Sequence, residues 1–253
     1  ADFGSIETLD KAYRKVFVHD GGLSTFRGQR WGAPVPDEMD RRRFVVFASN
    51  HDQVGNRAIG DRPSASLSPG AQAASLALIL LSPFTPMLFM GEEYGETRPF
   101  MFFTDHDEPL GSAVSRGRMS EFAGHGWEQL YGGDVHVPDP QDRQTFLRSK
   151  VGSGVSASGT THAAIEAWVG DIMAARALTL RDGAWSRHPV SIKETDPRQV
   201  TMNGPVCVHA NLSATPMRVE GPLRAVFGHI ADLGDDGLAL APDAVALVAQ
   251  EEE

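Results

Sequence analysis

The sequence predicts an α/β protein: a parallel β-α-β arrangement followed by a small antiparallel β-sandwich. Two short apolar runs, Phe44–Ala48 and Met87–Met90, flank a helical stretch, and each run ends in a burst of polar residues. Parallel strands covered on both faces read as continuous apolar runs, and chemistry in such folds sits at the carboxyl ends of the strands. After Pro189 the texture changes to short β-type runs separated by Gly, Pro, Asn and Asp, the spacing of a sandwich of antiparallel strands.

Taken in order, Ser5 stands at a capping position, and Ile6, Leu9, Tyr13 and Val16 share one face of a 3.6-residue period, which predicts a short first helix. The segment from His19 to Arg43 is rich in Gly, Pro and Arg. It is too long and polar for an idle connection, and we expect a binding loop there. Phe44–Ala48 then predicts a strand buried on both faces. Ser68 followed by Pro69 marks a helix start, Ala71–Leu81 supplies the helix and Pro83 ends it. Met87–Met90, bounded by Pro86 and Gly91, predicts a second buried strand. Residues 99–150 read as loop-rich. Residues 151–161 read as a flexible Gly/Ser loop, with no lysine or preceding strand to make a phosphate site. Ala164, Ile165, Trp168, Ile172, Ala175 and Leu178 keep a helical stripe. Trp168 and Trp185 suit a core or interface better than a sugar-stacking platform. The β-type runs are Val190–Ile192, Val200–Met202, Val206–Ala210, Leu223–Phe227, Leu238–Leu240 and Ala244–Val248.

Composition narrows the classes of partner. A formal charge of −10 and a pI near 5.3 argue against gripping nucleic acid or an anionic membrane, since both need clustered Lys and Arg. The single cysteine, Cys207, excludes an internal disulfide and suits a reducing compartment, so the cytoplasm is the expected location. The first residues lack the basic and apolar regions of a signal peptide. The apolar stretch from Ala73 to Met90 is broken by Ser75, Ser82, Pro83, Thr85 and Pro86, which excludes a membrane span. With 26 Gly and 16 Pro, the chain exceeds the usual share of about 12% for these two residues and is expected to carry many turns and long loops. Its 253 residues also equal the length of one typical (β/α)8 barrel.

The polar bursts carry the candidate chemistry. Asn50, His51, Asp52 and Gln53 put an imidazole, a carboxylate and two amides directly after a strand. Such a set suits holding sugar hydroxyls, and an Asp supplies the anion that an oxocarbenium-like transition state needs. The plainer alternative is that His51 and Asp52 only cap the following loop. A second burst at Glu92, Glu93 and Tyr94 after the next strand favours a site over two coincidences.

These residues carry a family resemblance. FVVFASNHDQVGNR (44–57) resembles the seventh-strand motif of the α-amylase superfamily, glycoside hydrolase family 13, whose core is Asn-His-Asp. LILLSPFTPMLFMGEEYGE (78–96), PFMFFTDHDEPLG (99–111), GRMSEFAGHGW (117–127) and VPDPQDRQTFLRSK (137–150) are similar, in wording and spacing, to the branch of that family acting on maltooligosyltrehalose. VFVHDGGLSTFRGQRWGAPVP (16–36) is similar to the same branch.

The resemblance implies that Asp52 is the third acidic residue, the transition-state stabiliser, and that His51 hydrogen-bonds the same sugar. It makes Asn50, Gln53 and Arg57 candidate substrate contacts, Arg57 having an ion-pair role as the alternative. Glu93 and Tyr94 are candidates for lining the site, against the alternative that one of Glu92 and Glu93 caps a short helix. Asp105 and His106 are candidates on a substrate loop, against a simple turn.

The superfamily's nucleophile Asp and general-acid Glu lie in fourth- and fifth-strand motifs that do not occur in this sequence. The fold expectation is therefore the carboxyl-terminal part of a (β/α)8 TIM barrel, about strands seven and eight with their helices and long loops, over residues 1–187, then a β-sandwich over 188–253. The function expected of the intact protein is hydrolysis of an α-1,4-glucan bond beside a terminal trehalose, with no metal or organic cofactor. A branching enzyme of the same superfamily and a non-catalytic carbohydrate-binding chain remain open as alternatives.

Overall fold

The structure, a computed structural model, describes residues 2–122, 129, 131–133, 135–152, 160–181, 190–233 and 237–249. In chain order the helices are α1 (Ile6–Lys15), α2 (His51–Gly55), α3 (Pro69–Leu80), α4 (Leu110–Phe122), α5 (Arg143–Arg148) and α6 (Thr161–Arg181). The strands are β1 (Asp20–Ser24), β2 (Gln29–Gly32), β3 (Val45–Val46), β4 (Thr85–Pro86), β5 (Ser191–Asp196), β6 (Gln199–Asn203), β7 (Val206–Asn211), β8 (Met217–Val219), β9 (Leu223–Phe227), β10 (Ile230–Asp232), β11 (Leu238–Leu240) and β12 (Ala244–Ala249). Two compact units form. One comprises Ala1–Ala48, Ser68–Met87 and Ala164–Glu253, the other Ser49–Leu67 and Leu88–Ala163.

In the first unit, α1 begins as its sequence predicts, with the Ser5 hydroxyl accepting from Thr8 N at 3.2 Å. Tyr13 on its apolar face is buried, donates to Leu78 O at 2.7 Å and meets Phe84 edge-on. On the other side Asp10 accepts from Ile192 N at 2.9 Å, tying α1 to β5. The segment expected to be a binding loop instead forms a hairpin, β1 with β2, over much of its length. The Asp2 carboxylate accepts from Thr25 N at 2.7 Å and from the Ser24 and Thr25 hydroxyls, which fixes the turn.

The β-α-β unit is present, with β3 parallel to β4 and α3 between them. Its strands differ from expectation in two ways. The ladder of β3 covers only Val45 and Val46, and Val45 is 57% exposed rather than buried on both faces. The reason is that β3 pairs with β4 alone among the described residues. The second strand lies at Thr85–Pro86, not Met87–Met90. Parallel pairing draws on alternate amides: Thr85 N donates to Phe44 O at 2.9 Å and Met87 N to Val46 O at 2.8 Å. Pro86, which has no N–H, sits at the position that needs none. α3 starts as expected, its Ser68 hydroxyl accepting from Ala71 N at 3.2 Å. Asp243 adds to this cap by accepting from Gly70 N at 3.0 Å and from the Ser68 hydroxyl. A side chain at position 70 would meet Asp243 O at 2.3 Å, so glycine is required there.

The β-sandwich has one sheet ordered β5-β6-β7-β12-β9 and a second ordered β10-β11-β8, all antiparallel. β8 and β10 are not among the runs the sequence predicts, since Met-Arg-Val and Ile-Ala-Asp each carry a charged residue in three positions. β12 is a continuous apolar run because both its faces are covered. Ala244, Ala246 and Val248 join Met217, Val219 and Leu240 between the sheets, while Val245 and Leu247, alternating with them, are fully buried on the side where α3 packs. Each of the Val, Leu and Met side chains among these contributes about 1.5–3 kcal/mol by leaving water. Asn211, fully buried, joins the sheets by donating to Leu240 O and Thr215 O, each at 2.9 Å. Trp168 on α6 is core, 2% exposed, with its indole N–H on Ala73 O at 3.0 Å.

The second unit holds α2, α4, α5 and the connections between them. α4 falls where the sequence reads as loop. Its two glycines and three serines blur the helical period, and Arg118 secures it by donating to Gly55 O at 2.7 Å and Arg57 O at 3.0 Å. Trp185, residues 153–159 of the Gly/Ser segment and the expected domain boundary near residue 187 lie outside the described residues. No helix among the described residues is long and apolar enough to cross a membrane.

Candidate functional site

Asn50 follows β3 and caps α2. Its side-chain oxygen accepts from Gln53 N at 3.0 Å, and Gln53 Oε1 accepts from Asn50 N at 3.1 Å, a reciprocal capping box. The residues expected to sit in a loop therefore start a helix. Asn50 and Gln53, read from sequence as sugar contacts, have their side-chain oxygens engaged in this box, a structural role that the Asn-x-x-Gln spacing itself signals. With the cap formed by its neighbours, the next two side chains stand free of it. His51 and Asp52 are 69% and 72% exposed, with His51 Nε2 and Asp52 Oδ1 3.3 Å apart. An adjacent donor and anion projecting from a fixed helix start can grip a hydroxyl pair and face developing positive charge.

The second polar burst forms a single 3-10 turn at Glu92–Tyr94. Glu92, which no motif singled out by role, binds in two directions: Oε2 accepts from Phe89 N at 2.8 Å, and Oε1 accepts from the hydroxyl of buried Ser49. It thereby links the segments following β3 and β4. Burial raises its pKa above the ordinary carboxylate value, against the lowering pull of the Ser49 and Phe89 donors.

Glu93 is exposed and turns back to accept from Gly91 N at 2.8 Å, so it closes the turn locally. Tyr94 is 8% exposed, with its hydroxyl donating to Glu96 Oε2 at 3.1 Å and its carbonyl 2.8 Å from His162 Nδ1. The expectation that Tyr94 lines a substrate surface gives way to a buried anchor. Beneath this turn Arg62, 3% exposed, donates to Met90 O at 2.8 Å and Arg98 O at 2.7 Å and stacks on Phe89. Its Nη2 is buried with no hydrogen-bond partner among the described residues, and burial lowers its pKa.

Arg57 forms an ion pair with Asp61, Nε to Oδ2 at 2.9 Å, and Tyr131 donates to the same carboxylate. Burial works to raise Asp61, but these donors outweigh it and the net shift is downward. Tyr131 is pushed up to about 12, first by burial and then by Asp61. The ion-pair alternative for Arg57 is thus the arrangement present.

Asp105 and His106 are exposed. Their loop is held by Gln141, whose Oε1 accepts from the Thr104 hydroxyl at 2.6 Å and from His106 N at 3.2 Å, while Nε2 donates to His106 O at 2.7 Å. Edge-to-face contacts run from Phe89 through Phe100 and Phe103 to Phe146 beneath these loops.

A cleft of about 550 Å³ lies within this unit, lined among others by Asp61, Met101, His136, Asp139, Thr145 and Arg148. It is lined largely by the blocks 99–111 and 137–150, and none of the candidate site residues Asn50, His51, Asp52, Gln53, Arg57, Glu93, Tyr94, Asp105 and His106 lines it. Among the described residues no group of three or more His, Cys, Asp or Glu is placed to hold a metal ion.

No family model matches the chain. It is 39% identical over 255 aligned residues to a malto-oligosyltrehalose trehalohydrolase of Mycobacterium tuberculosis, covering 98% of this chain and 43% of that protein. It is 48% identical over 177 residues to the Arthrobacter ramosus protein of the same name, covering 70% of this chain and 30% of the relative. The chain therefore spans less than half the length of these curated relatives. A crystal structure from Salmonella typhimurium, assigned as an α-amylase, superposes with a TM-score of 0.75 at 31% identity, over 96% of this chain and 41% of that one. The architecture is accordingly a carboxyl-terminal part of an α-amylase-type barrel with a β-domain.

Proposed function

The chain belongs to the α-amylase superfamily as a relative of the carboxyl-terminal portion of malto-oligosyltrehalose trehalohydrolases, and on that premise we propose that the whole protein cleaves maltooligosyltrehalose at the α-1,4-glucosidic bond beside the terminal trehalose, releasing trehalose. The observation that carries the reading is the placement of His51 and Asp52: side by side, exposed, on a capped helix start directly after a parallel strand. In this role the Asp52 carboxylate faces the positive charge that develops as the glycosidic bond breaks, and His51 hydrogen-bonds the same sugar. Asp105, His106 and Glu93 are exposed on the neighbouring segments of the same unit and are the further candidates for substrate contact.

A retaining glycosidase attacks the anomeric carbon with one carboxylate while a second, about 5–5.5 Å away, protonates the departing oxygen; water then releases the sugar from the enzyme. The motifs that carry that pair in the superfamily do not occur in these 253 residues. The pair is therefore supplied by other residues of the whole protein, and these 253 residues alone turn over no substrate. The protein acts on an α-glucan without nucleic acid or membrane partners, in the cytoplasm, and uses no metal or organic cofactor.

Product analysis tests this. The whole protein incubated with maltooligosyltrehalose is expected to release free trehalose and a shortened maltooligosaccharide. New α-1,6 branches in amylose with no trehalose would replace the reading with a branching activity. Turnover by the 253-residue chain alone would overturn the assignment of the catalytic pair to other residues.

A further inference from the structure

Glu92 occupies an unusual place for a carboxylate. It is a partly buried acid whose two oxygens divide between the two segments that follow the parallel strands: Phe89 N donates to one at 2.8 Å and the Ser49 hydroxyl to the other. Ser49 is 3% exposed and immediately precedes Asn50, the cap from which His51 and Asp52 project. The charged groups that face this acid are Arg62 and Glu93. Arg62 carries only donors and cannot accept from Phe89 N, and Glu93 already accepts from Gly91 N, so neither takes over its contacts.

We infer that Glu92 is a positioning residue for the hydrolysis: by holding Ser49 against the Phe89–Glu92 turn, it fixes where α2 begins and hence where Asp52 stands. The inference rests on the role proposed above for Asp52. Hydrogen bonds to a carboxylate are about twice as strong as neutral ones. A misplacement of about 1 Å at a catalytic group costs on the order of a hundredfold in rate. Two bonds at the base of the turn are sufficient to set that placement, because the capping box ties Asn50 through Gln53 into one turn.

The test is a double-mutant cycle in the whole protein, with rates taken on whichever α-glucan the wild type hydrolyses. Ser49→Ala and Glu92→Met are each expected to lower kcat by about tenfold or more with KM changed less than about threefold. The double variant is expected to lose little beyond the worse single variant, since both remove the same bond. Glu92→Gln is expected to retain kcat within about threefold of wild type, because its amide can accept from Phe89 N and donate to the Ser49 hydroxyl. Losses that multiply, or a Glu92→Gln as damaged as Glu92→Met, overturn the inference.

Amide exchange of the peptide spanning residues 49–55 supplies a readout independent of turnover. It is expected to quicken in Ser49→Ala and Glu92→Met but not in Glu92→Gln, and unchanged exchange in all three overturns the inference. If Glu92→Met fails to fold, Ser49→Ala and Glu92→Gln carry the same comparison. A wild type that hydrolyses another glucan but releases no trehalose contradicts the proposed function and leaves the coupling of Ser49 to Glu92 fully measurable.

Discussion

Gln141 grips the backbone of His106 at both of its polar atoms, accepting from its N–H at 3.2 Å and donating to its carbonyl at 2.7 Å. Two sequence blocks 35 residues apart, Thr104–His106 and Pro138–Asp142, are thereby one structural element. Gln141→Leu removes both bonds and that of the Thr104 hydroxyl, at a net cost of about 1–3 kcal/mol for these partly exposed groups. The expected outcome is faster amide exchange at Thr104 and His106, and unchanged protection there would show that Gln141 does not hold the loop. Gly111→Ala offers a second route, since its methyl group would stand 2.3 Å from Gln141 Nε2.

Arg176 ends α3 from the outside. Its guanidinium donates to Leu80 O at 2.6 Å, Ser82 O at 2.7 Å and Phe84 O at 2.7 Å, and it is 6% exposed. Arg176→Met leaves three carbonyls without this donor, each lost bond costing about 1–3 kcal/mol when buried. A fall in the denaturation midpoint equivalent to about 3 kcal/mol or more is expected. Arg176→Lys should recover only part of it, because an ammonium lacks the planar fork that reaches all three oxygens. Equal stability of Arg176→Met and wild type would contradict this role.

Glu96 links acid stability to the second unit. Burial works to raise its pKa, but donors from Arg98 N at 3.0 Å, Gly152 N at 2.7 Å and the Tyr94 hydroxyl outweigh it and the net value is lowered. A carboxylate with a lowered folded-state value binds protons less readily in the native than in the unfolded state. Its stabilisation is therefore present above the ordinary value of about 4.3 and lost as pH falls through the folded-state value. Glu96→Gln is expected to be less stable than wild type at pH 7, and the gap should close on acidification below about pH 4. Glu92, whose value is raised, acts with the opposite sign, stabilising below its unfolded value and losing that contribution as pH rises. Thermal midpoints of the two proteins across pH 3–7 check the assignment, and a gap independent of pH would refute it.

Much of this was legible in local sequence. Ser5, Ser68 and Pro69 announce helices by capping chemistry that needs no tertiary partner, and both helices begin there. The β-α-β unit follows from its apolar runs, but the limits of β3 and β4 do not: burial depends on neighbours, and the ladder passes Pro86 only because parallel pairing skips that amide. α4 is hidden because Arg118, not periodicity, secures it.

At the candidate site, Asn50-His51-Asp52-Gln53 is visible as a cluster, but the capping alternative read from the sequence falls on His51 and Asp52, whereas Asn50 and Gln53 form the cap. The roles of Glu92, Tyr94 and Gln141 were not legible, since each rests on a partner or on burial that spacing alone does not encode.

Whether Asp52 faces the charge of the transition state is decided by Asp52→Asn in the whole protein. The change removes a charge and almost no volume at a side chain that is 72% exposed, so the thermal midpoint should not move. A fall in kcat for trehalose release of about 100-fold or more is expected. A variant that folds normally and releases trehalose at close to the wild-type rate would contradict that role.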